Sequence, residues 1–178
     1  MDISKESLEI ITKHLGCGKY KRNEMMKDHT TMKVGGPADW FFTPQSEDDI
    51  QIIISRLKKD NVPYFILGNG SNVICRDEGY RGAVICLTDL FKGFRISENE
   101  GDGTADVIVK AGTLNKDFSE AMARKGLSGF EFASGIPGST GGATAMNAGA
   151  YDGEMKQIVK EVKLLDENGR IIAVSGND

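Results

Sequence analysis

"GIPGSTGGATAMNAGAYDGE", residues 135–154, carries the reading on which the fold turns. Glycine and alanine crowd it, Pro137 is its only proline, and charge appears only at its end. Such a stretch has too little apolar area to build a core and lacks the charge of a disordered linker. What it offers is bare backbone. Pro137 fixes φ and stiffens the turn. Ser139 or Thr140 can cap a short helix through TGGATAMN, leaving N–H groups unpaired at its start, where the helix dipole favours an anion. Small residues at Gly141, Gly142, Ala143 and Ala145 let a flat ring lie against them; close helix–strand packing needs the same small residues.

A second glycine loop stands upstream in YFILGNGSNVI, residues 64–74. It follows a candidate buried strand, and LGNGSN can turn several consecutive N–H groups to one side, an arrangement that binds phosphate. It is not a dinucleotide fingerprint: the third glycine of G-x-G-x-x-G is replaced by Val73, and no helix follows. A tight turn between two strands is the alternative. Two such loops in one small domain favour one long ligand with a central diphosphate.

The chain around them alternates helix and strand. SKESLEIITKHLG predicts a helix with Leu8, Ile11 and Leu15 on one face and Gly16 at its end. Residues 18–38 are polar and basic without a period, which predicts a long connection, and ADWFFTP predicts a strand. A helix over 46–59 has Ser46 as N-cap, Asp49 three residues on, and Ile50, Ile53, Ile54 and Leu57 as its buried stripe. YFIL, VIC and AVICL follow as strand segments, making a βαβ unit. The second half predicts a hairpin (FRISENE, a GDGT turn, ADVIVKAG) and a helix capped by Asn115. In that helix Phe118, Ala121 and Met122 face inward and Gly126 is the stop. A closing hairpin turns at Asn168–Gly169. The expected division is residues 1–86 and 87–178, an α+β arrangement.

Composition narrows the partners. A net charge of −4 argues against nucleic acid, which needs a basic face. Three cysteines without a C-x-x-C pair and two histidines argue against a disulfide framework or a metal site and for reduced thiols in a cytoplasmic protein. The N-terminus lacks the apolar core of a signal peptide, and no apolar run reaches membrane-spanning length.

Taken together, "TTMKVGGPA", "LGNGSNVI", "GFEFASGIPGSTGGATAMNAGAYDGE" and the closing hairpin resemble the UDP-N-acetylenolpyruvoylglucosamine reductase family of bacterial peptidoglycan synthesis, from about residue 23 onward. LGNGSN also recurs across the wider vanillyl-alcohol-oxidase-type flavoproteins. The resemblance implies two α+β subdomains with FAD between them. It implies the diphosphate on Gly68, Asn69, Gly70, Ser71 and Asn72, and the flavin along Gly135, Ile136, Pro137, Gly138, Gly141 and Gly142. Asn147, Gly149 and Ala150 would lie near the pocket, with Tyr151 beside the substrate. The implied reaction reduces the enolpyruvyl ether of a UDP-sugar to a lactyl ether, with NADPH as hydride donor through FAD. The family's proton-donating serine and substrate-binding arginine lie in or on the way to a third, substrate-binding domain, and the sequence stops at SGND. The expectation is therefore an FAD-binding portion, inactive alone, with no catalytic residue. The ionisable residues near the second loop agree: Glu131, Tyr151, Asp152 and Glu154 form no evident acid–base pair.

The remaining candidates read as structural. His29 can approach a flavin or sit satisfied in a loop. Trp40, Phe41 and Phe42 can stack on adenine or pack a sheet face on the 46–59 helix. Lys19, Lys21, Arg22 and Lys27 read as a solvated basic run. Two other functions stay open. One is an oxidase of the same superfamily, whose covalent flavin often uses a histidine absent from GNGSN. The other is a non-catalytic nucleotide-binding module.

Overall fold

The computed structural model describes residues 2–15, 19–99, 103–166 and 169–176. Gly16, Cys17, Asn168 and part of the GDGT turn lie outside them.

The first half is built on a four-stranded sheet. Helix α1 (Lys5–Leu15) buries Ile11 and Leu15. Strands β1 (Tyr20–Met25) and β2 (Pro37–Phe42) pair antiparallel, with Tyr20 opposite Phe42. Helix α2 (Glu47–Lys59) leads to β3 (Tyr64–Leu67), and β4 (Tyr80–Cys86) closes the sheet in the order β1-β2-β4-β3. β4 runs parallel to both β2 and β3 and lies between them, so the β2–α2–β3 crossover spans it. Its GAVIC run is buried throughout, as a central parallel strand requires. The sheet is covered on both faces. Trp40 and Phe42 pack with Ile11, Ile53 and Leu57 from the helices, while Phe41 points the other way onto Met26, Leu67 and Val84. The aromatic run thus packs the sheet instead of offering a ring to a ligand. The Ser46–Asp49 capping box forms in both directions.

Two expectations fail in this half. Residues 20–25 form an edge strand where a connection was expected. The strand has water on one side and carries no apolar run. Arg22 crosses the Trp40 ring at 4.3 Å and meets Asp2, and Lys21 pairs with Glu24 at 2.5 Å, so part of the basic run has structural partners. VIC, residues 73–75, is irregular backbone, with Ile74 76% exposed. It has the composition of a strand but no neighbouring strand to pair with.

The second half contains β5 (Phe94–Glu98) and β6 (Ala105–Val109), paired antiparallel, then α3 (Asn115–Arg124) and the short helix α4 (Thr140–Ala145). A two-rung hairpin follows, β7 (Gly149–Ala150) with β8 (Gly153–Glu154), and then β9 (Glu161–Leu165) with β10 (Ile171–Ser175). Phe118, Met122, Phe130, Ala133, Ala143 and Met155 form its core. Gly126, at φ +71°, ends α3 as expected. Asn115 does not cap it: Leu114 holds the cap position without a side-chain bond, and Asn115 is the first helical residue, fully buried.

Phe42 is 0% exposed and sits where α1, α2 and the sheet meet. Phe42→Ala is expected to cost about 3–5 kcal/mol in urea unfolding, and a loss under ~1 kcal/mol would contradict this packing.

Candidate functional site

The first glycine loop leaves the carboxyl end of β3. Gly70 is buried at φ +64°, and a Cβ there would fall 2.1 Å from the His29 carbonyl oxygen and 2.9 Å from Thr30 Cα. No side chain fits. The Gly70 carbonyl accepts from the Thr31 N–H at 3.1 Å, which ties the loop to the segment after the buried Met26. Among the described residues, none of the N–H groups of Gly68, Asn69, Gly70, Ser71 and Asn72 donates to a protein acceptor. Five consecutive donors are thus left without protein partners, which is what a backbone site for phosphate requires.

The second loop is built differently from the expectation. α4 is capped by Ser139, whose hydroxyl accepts from Gly142 N at 3.4 Å. The next donors are also used: Thr140 N–H bonds the Thr113 carbonyl at 2.8 Å and Gly141 N–H the Ala111 carbonyl at 2.9 Å. The helix start therefore offers no unpaired N–H array. Gly141 is needed for packing, since a Cβ would lie 2.5 Å from Ala111 Cβ. Among the described residues, the donors without a partner belong to Gly135, Gly138 and Ser139, just before the helix. Gly138 is at φ +132°, open to glycine and strained for other residues.

The two loops touch, although 66 residues separate the bonded pair. Ser71 Oγ donates to the Pro137 carbonyl at 3.1 Å. Ser139 Oγ lies 2.5 Å from where a Gly68 Cβ would be, and Ser71 Oγ lies 3.0 Å from that of Gly138. The two segments that carry unpartnered N–H groups are thus in direct contact. Beside it opens a cavity of about 360 Å³ lined by Thr30, Thr31, Gly68, Asn69, Thr88 and Asp89, among others. His29 is occupied: its Nε2 is 2.9 Å from Glu24 Oε1 and its ring stacks on Phe41 at 4.1 Å. Burial alone would raise the Glu24 carboxyl, but its bonds to Lys21 and His29 outweigh that and hold it below the usual range.

The downstream candidates form a strained turn. Asn147 is at φ 42°, Tyr151 at 51° and Asp152 at 64°, so the β7–β8 hairpin turns through two non-glycine residues in left-handed backbone. Asn147 is fastened on both sides: Nδ2 donates to Glu154 Oε2 at 2.7 Å, and Oδ1 accepts from Lys156 N at 2.9 Å. Gly149 and Ala150 are the hairpin's own rungs. Tyr151 is 90% exposed at the mouth of an open cleft of about 490 Å³ that also includes Glu131, Phe132 and Asp152. Backbone N–H groups hold Glu131 below the ordinary range, and Lys156 and Asn147 do the same for Glu154. Both are ionised at neutral pH and neither is poised to give a proton. Among the described residues no group of three His, Cys, Asp or Glu is placed to hold a metal, and no helix is long and apolar enough to cross a membrane.

Sequence reasoning read Asn115 as a cap and missed its bonds to the Ile136 and Gly138 carbonyls, and it missed the Ser71–Pro137 bond. Neither has a local signal, because both link residues that only the tertiary fold brings together.

A strand–helix–strand half followed by antiparallel hairpins, with glycine loops meeting between them, defines a class, and the comparisons agree. The chain belongs to the FAD-binding domain family, whose model matches residues 38–175. A step further, its sequence is 45% identical over 175 residues to the UDP-N-acetylenolpyruvoylglucosamine reductase of Clostridium novyi and 42% identical to that of Clostridium tetani. The alignments cover 98% of this chain and 53% and 55% of those proteins. The chain thus spans about half the length of these curated relatives. The crystal structure of the Thermus caldophilus UDP-N-acetylenolpyruvylglucosamine reductase matches with a TM-score of 0.69 at 34% identity, covering 88% of this chain and 52% of that one. A vanillyl-alcohol-oxidase-type flavoprotein from Myceliophthora thermophila shares the fold, with a TM-score of 0.70 at 12% identity over 97% of this chain and 42% of its own.

Two outcomes test this geometry. Gly70→Ala should cost about 2 kcal/mol or more in urea unfolding, from the left-handed backbone and the His29 carbonyl, whereas Gly135→Ala, with open space around its Cβ, should stay within ~0.5 kcal/mol of wild type. Glu24, lowered in the folded state, stabilises above its ordinary value of 4.5, and that contribution is lost as pH falls through the lower folded value. Glu24→Gln should therefore flatten the acid limb of the stability–pH curve, and an unchanged limb would contradict the pairing.

Proposed function

We propose that this chain binds FAD across the two glycine loops as the flavin-holding part of a cytoplasmic UDP-N-acetylenolpyruvoylglucosamine reductase. The observation that carries it is the meeting of the loops, which brings two groups of unpartnered N–H donors close together. On this reading Gly68, Asn69, Gly70, Ser71 and Asn72 hold the diphosphate through their backbone, where no bulky side chain keeps the phosphates away. Gly135, Ile136, Pro137, Gly138, Gly141 and Gly142 form the flavin side, with Gly138 and Ser139 supplying N–H donors. FAD, when bound, supplies a ring that accepts a hydride and passes it on. The chain's own residues bind and orient.

The whole reaction belongs to the same proposal: NADPH as hydride donor and a UDP-sugar enolpyruvyl ether as acceptor. It draws on the names of the relatives, which are about twice as long. Asn147, Gly149, Ala150 and Tyr151 then lie on the substrate side, with Tyr151 reaching from a rigid turn. The proposed division into residues 1–86 and 87–178 is supported by the end of β4 at Cys86, before β5 begins at Phe94. Glu131 and Glu154 are ionised and so are not the proton donors, and on this reading these 178 residues alone are expected to be inactive.

The purified chain incubated with FAD should turn yellow and show a flavin spectrum that survives gel filtration. FAD at 100 times its Kd should stabilise it by about 2.7 kcal/mol. Gly138→Val, which puts a β-branched side chain in left-handed backbone 3.0 Å from Ser71 Oγ, should abolish binding. A colourless protein stabilised by a UDP-sugar alone, and not by FAD or ADP, would replace the flavin reading with a nucleotide-binding module.

A further inference from the structure

Asn115 is an unusual opening residue for a helix. It is fully buried, it does not cap α3, and its Oδ1 has no partner among the described residues. A buried acceptor left unmade is costly, and an apolar side chain of the same branched shape would avoid that cost. The packing of α3 therefore gives no reason for an asparagine here.

Its donors give one. Asn115 Nδ2 donates to the Ile136 carbonyl at 3.2 Å, and Asn115 N–H donates to the Gly138 carbonyl at 3.0 Å. Ser71 holds the carbonyl between them, that of Pro137. Three successive carbonyls of the second glycine loop are thus bound, two of them by one residue. In a planar trans peptide the N–H points opposite to the C=O. Binding the Pro137 and Gly138 carbonyls within the protein turns the Gly138 and Ser139 N–H groups away, and these are two of the loop's three donors without a partner. The Ile136 carbonyl belongs to the peptide before Pro137, which has no N–H, so its orientation sets where the proline ring stands. The two backbone bonds between this loop and residues 113–115, Asn115 N–H to Gly138 and Thr140 N–H to Thr113, would form with any side chain at 115. The Nδ2 bond alone depends on the side chain.

We infer that Asn115 is a positioning residue of the flavin site: its buried carboxamide holds the Ile136–Pro137 peptide so that the Gly135–Ser139 loop presents its N–H groups to the cofactor. The inference rests on the FAD reading above and adds to it a residue that touches no cofactor atom.

The test compares FAD affinity of wild type, Asn115→Leu and Asn115→Asp by flavin fluorescence titration between pH 5 and pH 8, with circular dichroism to check folding. Asn115→Leu keeps the branched shape in a larger side chain and removes the donor, and should weaken FAD binding roughly tenfold. Asn115→Asp keeps the shape. Its buried carboxyl titrates above the ordinary aspartate value, and only the protonated form can donate to the Ile136 carbonyl. Its Kd relative to wild type should therefore fall towards one as pH is lowered, a recovery that a purely volumetric role would not produce. The inference is overturned if Asn115→Leu binds FAD within twofold of wild type, or if the Asn115→Asp ratio is the same at every pH. Should Asn115→Leu fail to fold, the Asn115→Asp ratio decides alone. Wild type that binds no FAD overturns the flavin reading and this inference together, whereas wild type that binds alongside an unaffected variant overturns only this one.

Discussion

The bond from Ser71 Oγ to the Pro137 carbonyl joins the two halves of the molecule where both glycine loops leave backbone donors without partners. Around it the packing leaves no slack: Ser139 Oγ fills the space beside Gly68, and Ser71 Oγ stands against Gly138. A peptide plane has one acceptor and one donor on opposite edges. When the carbonyl edges are consumed by contacts inside the protein, the donor edges face outward together. The anion binding proposed for the site rests on this geometry, and it calls for no cationic side chain.

The scaffold puts that edge where a ligand can reach it. Gly68 and Asn69 follow the carboxyl end of β3, and Thr88 and Asp89 follow that of β4, its parallel neighbour. Open parallel sheets bind ligands at this end. The polar turn at His29–Lys33 closes the cavity's other side, and it is held by Gly70, the Glu24–His29 pair and the stack on Phe41. A side chain at 70 would push apart the segments that shape the cavity, so fold and site share one constraint there.

Much of this can be read directly from the amino-acid sequence. The α2 stripe and its capping box, the buried AVIC strand, both hairpins and the Gly126 stop follow from periodicity and turn chemistry, which act within a few residues. The failures are all non-local. β1 is a strand only because β2 lies beside it. Val73–Cys75 have the composition of a strand and no neighbour to pair with. Asn115 resembles a cap and is instead a buried contact to residues 136 and 138. The α4 start resembles an anion site, but residues 111 and 113 take its donors.

By itself, the sequence determined where side chains had to be absent. Glycine at 68, 70 and 141 marks positions where a Cβ would meet another atom too closely, glycine at 138 marks a positive φ, and the pair of loops points to one long ligand with a central diphosphate. Only the tertiary structure decided what each absence serves. Gly141 accommodates Ala111, Gly70 accommodates His29, and Gly68 and Gly138 accommodate the serine of the opposite loop. The difference is physical. A missing side chain is written in the chain, whereas the hydrogen bond that turns a peptide plane is made by a residue far along it, and its direction exists only once both are in place.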